Sequence, residues 1–304
     1  MTTASIVTYD HHLLDIEPVL RSLIDSPIDV IYIIDHSEHM MDLERELKEY
    51  EAYSIAKNPE LKGRIKKGFR IEYLRHKNNG YGGGHNVAIR KARELGSEFH
   101  LVVNPDVWFG REVVPVLQAY MTAYKDVAQM MPQIRFPNGD PQNLAKLLPA
   151  PRDIIGRLIM PRSTTSERND RYELKPTGLK KIVNAPYLSG CFMFLRMSAL
   201  EEIGDFDEKH FFMYAEDIDL TRRLHRKWRT LYFPKVVVFH KFNRASHRSM
   251  KLFLVHVWNI AKYFNRYGWL RDTERDRINM KVAKRYFAAP DRNPEPCPRA
   301  AEEG

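Results

Sequence analysis

The chain has 304 residues, 43% hydrophobic and 29% charged, which suits one large domain or two closely packed ones and does not suit a disordered polymer. Its two cysteines, Cys191 and Cys297, stand far apart outside any C-x-x-C pair, which argues against a disulfide framework or a cysteine zinc site and fits a reducing cytoplasm. The net charge of +9 gathers late, between Arg222 and Lys262, as on a surface that attracts diphosphates, anionic lipid headgroups or nucleic acid, while the N-terminus lacks the basic-then-apolar pattern of a secretory signal and no run reaches the ~18 to 20 apolar residues of a membrane span.

Residues 4–9 and 29–34 are short apolar, β-branched runs that end in Asp10 and Asp35. Such runs read as buried parallel strands, and a helix near 12–25 joins them into a β-α-β unit. A helix is expected over 42–56, a third strand over 69–74, and a glycine-rich loop at 78–84 that becomes a helix near Val87, Ala88 and Ala92. A fourth strand, 99–103, runs into Asn104-Pro105-Asp106. This alternation predicts a mostly parallel α/β sheet, whose ligands bind beyond the carboxyl ends of the strands. Asp10, Asp35, the glycine segment and Asp106 all fall there.

Further along, Asn138-Gly139 signals a hairpin turn and residues 161–181 read as a mobile polar loop. Residues 187–196 and 230–240 resume strand patterns, the second ending at His240, with a basic helix between them. Met250, Phe253, Leu254, Val257, Ile260, Ala261 and Phe264 form the apolar stripe of a helix over 250–267. The Pro-, Glu- and Arg-rich residues 288–304 read as a flexible tail.

Four groups of residues carry chemistry. Asp106, after a buried strand, offers a hard oxygen to Mg²⁺ or Mn²⁺. Glu216, Asp217 and Asp219 put three acids in the first turn of a helix, more than capping needs, and one can serve as a general base. Gly80 to Gly84 match neither G-x-G-x-x-G nor a P-loop, but allow a backbone to approach a diphosphate. His240 precedes Arg244, Ser246, His247 and Arg248, a cluster suited to anionic oxygens.

In chain order these residues form T-Y-D, I-I-D, N-x-G-x-G-G-x-x-N, N-P-D-V, L-S-G-x-x-x-x-x-R, G-x-F-D-E-x-x-F-x-x-x-E-D-x-D-L-x-x-R and V-x-H. The set resembles family 2 glycosyltransferases with the GT-A fold over about residues 4–250. It is most similar to bacterial rhamnosyltransferase-like enzymes of surface-polysaccharide assembly, which share N-P-D-V and a mid-chain P-x-I…N-G-D-x-Q segment. The resemblance implies a GT-A catalytic domain over 1–248, with a nucleotide-binding half at 1–110 and an acceptor-binding half at 111–248, followed by a helical extension at 249–287. It implies that Thr8, Tyr9, Asp10 and Asp35 line the nucleoside pocket, that Asn79, Gly80, Gly83, Gly84 and Asn86 shape its far wall, and that Asn104 stands for the first acid of the family's D-x-D. Asp106 and His240 would hold the metal and Asp217 would be the base. Ser189, Gly190, Glu216, Arg244, Ser246 and Arg248 would face acceptor or diphosphate.

The implied reaction is inverting transfer from a nucleotide sugar, rhamnose from dTDP-rhamnose or a hexose from a UDP-sugar, onto a saccharide or lipid-linked saccharide. A homodimer is compatible, and a cytoplasmic enzyme touching the inner face of an anionic membrane through the 250–267 helix fits such an acceptor. Two alternatives are weaker. A nucleotidyltransferase usually has a G-x-G-T-R-like loop in the first βα turn, where this chain has TYDHH, and no nucleic-acid motif accompanies the basic half.

Overall fold

The structure is a computed structural model that describes residues 1–38, 42–154, 166–241 and 250–287. The first half alternates strands and helices as β1 (Thr2–Thr8), α1 (Leu13–Ile24), β2 (Val30–Asp35), α2 (Leu43–Lys57), α3 (Pro59–Lys66), β3 (Arg70–Arg75), α4 (Tyr81–Glu94) and β4 (Phe99–Val103). β5 (Val107–Phe109), α5 (Val113–Ala123), β6 (Val127–Arg135), β7 (Ala145–Lys146) and α6 (Ser166–Tyr172) follow. Then come β8 (Val183–Asn184), β9 (Tyr187–Leu188), β10 (Phe192–Arg196), α7 (Met197–Ile203), α8 (Glu216–His225), β11 (Arg229–His240), α9 (Met250–Tyr267) and α10 (Thr273–Tyr286).

Among the described residues, the main sheet is ordered β3-β2-β1-β4-β10-β6-β11-β5, with β8 beside β11. β3, β2, β1 and β4 are parallel, because a helix crosses over between each consecutive pair in the chain. β2 and β4 are buried at every residue, which is why they read as continuous apolar runs. The expected parallel sheet is thus present in the first half. It becomes mixed at β10, which is antiparallel to both β4 and β6. One face of the sheet packs Ile6, Ile33, Leu101 and Val103 against α1 and α5, and the other packs Val102, Met193 and Leu195 against α4, α7 and α8.

Several local expectations change. The 187–196 segment is two short strands separated by Ser189–Cys191. The glycine segment is the first turn of α4, and Gly82, Gly83 and Gly84 are buried. A Cβ on Gly82 would meet Phe206, and one on Gly84 would meet Val7 and His36, so these glycines allow the helix to lie close against its neighbours rather than forming an open cradle. Residues 166–177 hold a helix and a 3-10 turn, anchored by buried Tyr172 and Leu174, apolar positions that the polar composition conceals. The Asn138-Gly139 turn forms as expected, with Gly139 at φ 90° and Phe136 N–H donating to Asp140 at 2.8 Å.

Five of the late cations make ion pairs within the molecule. Arg222 is 1% exposed and reaches Asp272 and Glu274; Arg223 reaches Asp219, Arg226 reaches Glu274, Lys227 reaches Glu202 and Arg229 reaches Asp126. The cations around α8 thus make intramolecular ion pairs, while Arg226 and Lys227 remain exposed at the surface. Arg222 and Arg226 tie the start of α10 to α8, and contacts of Tyr263 with Arg222 and of Arg266 and Tyr267 with Asp219 tie α9 to it. The α9 stripe also divides. Ile260, Tyr263 and Phe264 are buried against Phe211 and Ile218, while Met250, Leu254, Val257 and Trp258 face outward. Arg244, Ser246, His247, Arg248, the Lys251 side chain and the 288–304 tail lie outside the described residues.

Candidate active site

The parallel strands align their carboxyl ends, since Thr8 pairs with Asp35 and Asp35 with Arg75. Asp35 is 1% exposed and its carboxylate collects four donors: the Thr8 hydroxyl at 3.0 Å, the Ser37 N–H at 3.1 Å, the Ser37 hydroxyl at 2.6 Å and the Tyr73 hydroxyl at 2.6 Å. Burial would raise its pKa, but the Ser37, Tyr73 and Thr8 hydrogen bonds outweigh burial and lower it, so Asp35 is a fixed anion. Asp10 is exposed with φ 52°, its N–H held by the Ser37 hydroxyl at 2.8 Å, and Tyr9 is exposed beside it. A cleft of about 320 Å³ follows Asp35 along the chain, lined by His36, Ser37, Arg75, His76 and Lys77.

A second group gathers where β5 and β11 run antiparallel. His240 pairs with Val107, and the Lys241 N–H donates to the Asp106 carbonyl at 3.0 Å. This register sets His240 Nε2 at 3.3 Å from Asp106 Oδ1, joining residues 134 positions apart in the chain. Gln142 holds the other side of the ring, with its oxygen 3.0 Å from His240 Nδ1 and its amide donating to the His240 carbonyl at 2.6 Å. Burial alone would lower the His240 pKa. The Cys191 sulfur and the Asp106 carboxylate outweigh it and raise the value to about 10. A carboxylate oxygen and an imidazole nitrogen oriented from behind would hold Mg²⁺ or Mn²⁺ once the ring releases its Nε2 proton to the incoming charge, with substrate phosphates and water at the further positions. No cluster of three or more His, Cys, Asp or Glu side chains able to hold an ion occurs among the described residues.

The third group surrounds Asp217, which is buried at 8% exposure in the first turn of α8. The Gly190 N–H donates to Oδ2 at 2.9 Å and the Ile218 N–H to Oδ1 at 2.8 Å. Burial raises the Asp217 pKa, while Gly190, Ile218 and the Lys146 charge pull against it. Burial and then the Asp217 charge raise neighbouring Glu216 to about 8. Both accept backbone N–H groups, Glu216 from Ala215 at 2.8 Å, but the Lys146 charge favours ionised Asp217, whose charge then opposes that of Glu216. Asp219 does something else. It is fully buried and accepts from Arg223, Arg266 and Tyr267, at 2.7, 3.0 and 2.7 Å, which makes it a clamp for α9. Tyr214, just before the acids, carries a strained φ of 82° and stacks on His256 at 4.6 Å.

Tyr81 connects the second and third groups. Its hydroxyl lies 2.9 Å from Asn104 Oδ1 and 2.7 Å from the Gly190 carbonyl. Neither Tyr81 nor Gln142 stands out in the sequence, although Gln142 closes the P-x-I…N-G-D-x-Q segment. Among the expected wall residues, Gly80 takes φ 86° where any Cβ would strike the Phe212 carbonyl, and the Gly83 Cβ position is filled by the Asn79 side chain. Asn86 is buried, and its amide bonds to both backbone groups of Phe206 and to Glu208, so it anchors the 205–208 loop. Ser189 is half-buried next to Gly190, its hydroxyl accepting from the Cys191 N–H at 3.4 Å.

An N-acetylglucosaminyl-diphospho-decaprenol L-rhamnosyltransferase of Mycobacterium tuberculosis is 30% identical over 190 residues, 57% of this chain and 59% of that protein, so the chain spans about three-fifths of its relative's length. A low-salt glycan biosynthesis hexosyltransferase, Agl10, of Haloferax volcanii is 32% identical over 49% of this chain and 44% of its own length. A solved structure of GalNAc-T7 with UDP, GalNAc and Mn²⁺ superimposes with a TM-score of 0.56 at 14% identity, covering 79% of this chain and 43% of that one, and shows that the fold is of the GT-A type. The family model described as glycosyl transferase family 2 matches residues 3–204, and with a majority of its residues inside that match the chain belongs to glycosyl transferase family 2.

Proposed function

We propose that the chain is an inverting, metal-dependent glycosyltransferase that moves a sugar from a nucleotide diphosphate onto a saccharide or lipid-linked saccharide in cell-surface polysaccharide synthesis. The observation that carries this reading is the joining, through Tyr81 and Gly190, of an Asp106–His240 pair to a buried Asp217 carboxylate. In this reading Thr8, Asp10 and Asp35 lie at the nucleoside and Asp106 and His240 would hold Mg²⁺ or Mn²⁺. The bound ion would secure the diphosphate and offset the charge left on it. Asp217 accepts the proton of the acceptor hydroxyl as its oxygen attacks the anomeric carbon and the bond to the diphosphate breaks. One displacement inverts the anomeric centre, so no carboxylate nucleophile is required. Protonated Glu216 keeps a second negative charge away from the base.

The donor is rhamnose on dTDP or a hexose on UDP. Likeness to a rhamnosyltransferase and to a hexosyltransferase supports both, and a panel of radiolabelled nucleotide sugars with Mn²⁺ tests them. Slow release of free sugar and nucleoside diphosphate is the expected result, and no turnover of any donor would refute the proposal.

The acceptor side reaches the inner face of an anionic membrane through α9. Met250, Leu254, Val257 and Trp258, at i, i+4, i+7 and i+8, are 73%, 59%, 40% and 65% exposed, an unusual apolar ridge for a helix facing water. Lys262 sits 5.9 Å from the Trp258 ring, the pairing of aromatic and cation that suits a headgroup layer. No helix among the described residues is long and apolar enough to cross a membrane, so this contact is peripheral.

A further inference from the structure

We infer that Tyr81 is a positioning residue that sets the catalytic base against the metal-bearing turn; this deepens the proposed function and rests on it. Gly190 has no side chain to fix its backbone, and two hydrogen bonds do that instead. Its N–H donates to Asp217 Oδ2 at 2.9 Å, and its carbonyl accepts from the Tyr81 hydroxyl at 2.7 Å. The phenol oxygen also lies 2.9 Å from the side-chain amide of Asn104, two residues before Asp106; with its NH2 turned to the phenol, that amide donates to it while the single phenol proton goes to Gly190, and the Asn104 N–H donates to the Cys191 carbonyl at 3.0 Å. The loop that orients the base and the turn that carries the acid are thus joined twice, and Tyr81 makes one of the two connections.

Tyr81 is itself held firmly. Its N–H donates to the Phe212 carbonyl at 3.0 Å and its ring meets His85 edge-on at 4.5 Å. The phenol remains a neutral donor, since burial, reinforced by Cys191, Glu216, Asp217 and Asp106, keeps its pKa well above the usual tyrosine range. There is little spare room at the junction. A Cβ on Gly190 would lie 3.3 Å from the Asp217 Cβ and 3.4 Å from Tyr81 Cε1. Without the hydroxyl, the Gly190 carbonyl loses its donor although Ser189 and Cys191 stay anchored, its N–H loosens from Asp217, and the carboxylate loses part of a hydrogen bond that favours its charged form.

The test compares wild type with Tyr81→Phe, which keeps the ring and its contact with His85, and with Gly190→Ala, which disturbs the same junction from the other side. The Asp217 carboxyl is titrated by ¹³C NMR, with Asp217→Asn identifying its signal, and kcat and donor KM are measured across pH with UDP-glucose, dTDP-rhamnose and Mn²⁺. In both variants the Asp217 titration and the acid limb of kcat should move to higher pH. In Tyr81→Phe, kcat should fall about 10- to 100-fold with donor KM within about threefold, as for a misplaced catalytic group. A role in stability alone would lower Tm and leave the titration in place. An unmoved Asp217 titration in both variants overturns the inference. Failure of the wild type to turn over any nucleotide sugar would count against the proposed function, while the NMR titration would still decide this one.

Discussion

Gln142 grips His240 from two sides, its oxygen at the ring Nδ1 and its amide on the same residue's carbonyl, so the imidazole can turn only one nitrogen toward Asp106. Removing an outer partner of a metal-binding histidine commonly weakens metal affinity about 10- to 100-fold. Gln142→Leu should therefore weaken Mn²⁺-dependent binding of UDP by that factor, with little change in binding measured without metal. Calorimetry with and without Mn²⁺ checks this. Asp106→Ala should show a larger loss, and equal metal dependence in that variant would remove Asp106 from the site.

Asp217→Asn keeps the shape of the side chain and cannot accept a proton. Transfer should drop to a few per cent of wild type or less, while UDP binding with Mn²⁺ stays nearly intact. Turnover above that level with saturating donor would point to Glu216 as the base, since Asp219 is committed to Arg223, Arg266 and Tyr267.

Asp219→Ala should act on stability. It leaves Arg223, Arg266 and the Tyr267 hydroxyl without their buried acceptor, although Arg266 keeps Asp207 and Arg223 keeps backbone carbonyls, so the cost should be about 1–3 kcal/mol. Urea unfolding should show a lower midpoint, with loosening of α9 visible as faster amide exchange around residues 256–264. An unchanged midpoint would mean that α9 is held without this clamp.

Stability should also fall in mild acid. His100 is fully buried between Thr3 and Ser5, and burial lowers its pKa to about 3. The folded value lies below that of the unfolded chain, near 6.5, so His100 costs nothing above that pH and opposes folding increasingly as pH falls from about 6.5 toward 3. Each such histidine contributes a slope of about 1.4 kcal/mol per pH unit within this window. Urea midpoints at pH 7 and pH 5 should show the loss, and His100→Gln, whatever its starting stability, should show a shallower decline. Identical slopes in the two proteins would contradict the assignment.

Vesicle sedimentation tests the outer face of α9. Binding to anionic vesicles should weaken with salt and should be lost in Leu254→Asp with Trp258→Asp. No binding of the wild type at low salt would leave this ridge for another partner.

Some of this site is visible in the sequence and some is not, for a physical reason. Asp35 and Asp106 can be located because each directly follows an apolar run, a local signal. The joining of Asp106 to His240 depends on the register of β5 against β11, and only the family resemblance suggests it. Tyr81 and Gln142 act over 109 and 98 positions of chain, through a carbonyl and a ring that no periodicity marks. The glycines show the opposite limit. Composition tells that a backbone comes close to something, but not whether that is a phosphate or, as at Gly82 and Gly84, the neighbouring side chains. Charge counted along a chain likewise says nothing of partners such as Asp272, which caps α10 and lies 50 residues from Arg222.

The clamp at Asp219 has a consequence for the order in which the enzyme is made. Asp217 and Asp219 share one turn of helix, yet the donors that neutralise Asp219 include Arg266 and Tyr267, near the end of the described chain. During synthesis on a ribosome, the sheet and the acid-binding turns can assemble while the helix bearing the base still lacks these partners. That helix is completed only after α9 has emerged. A chain truncated before residue 266 would thus leave Asp219 with Arg223 as its remaining partner, two residues from the proposed base, and the full clamp would form only once α9 is present.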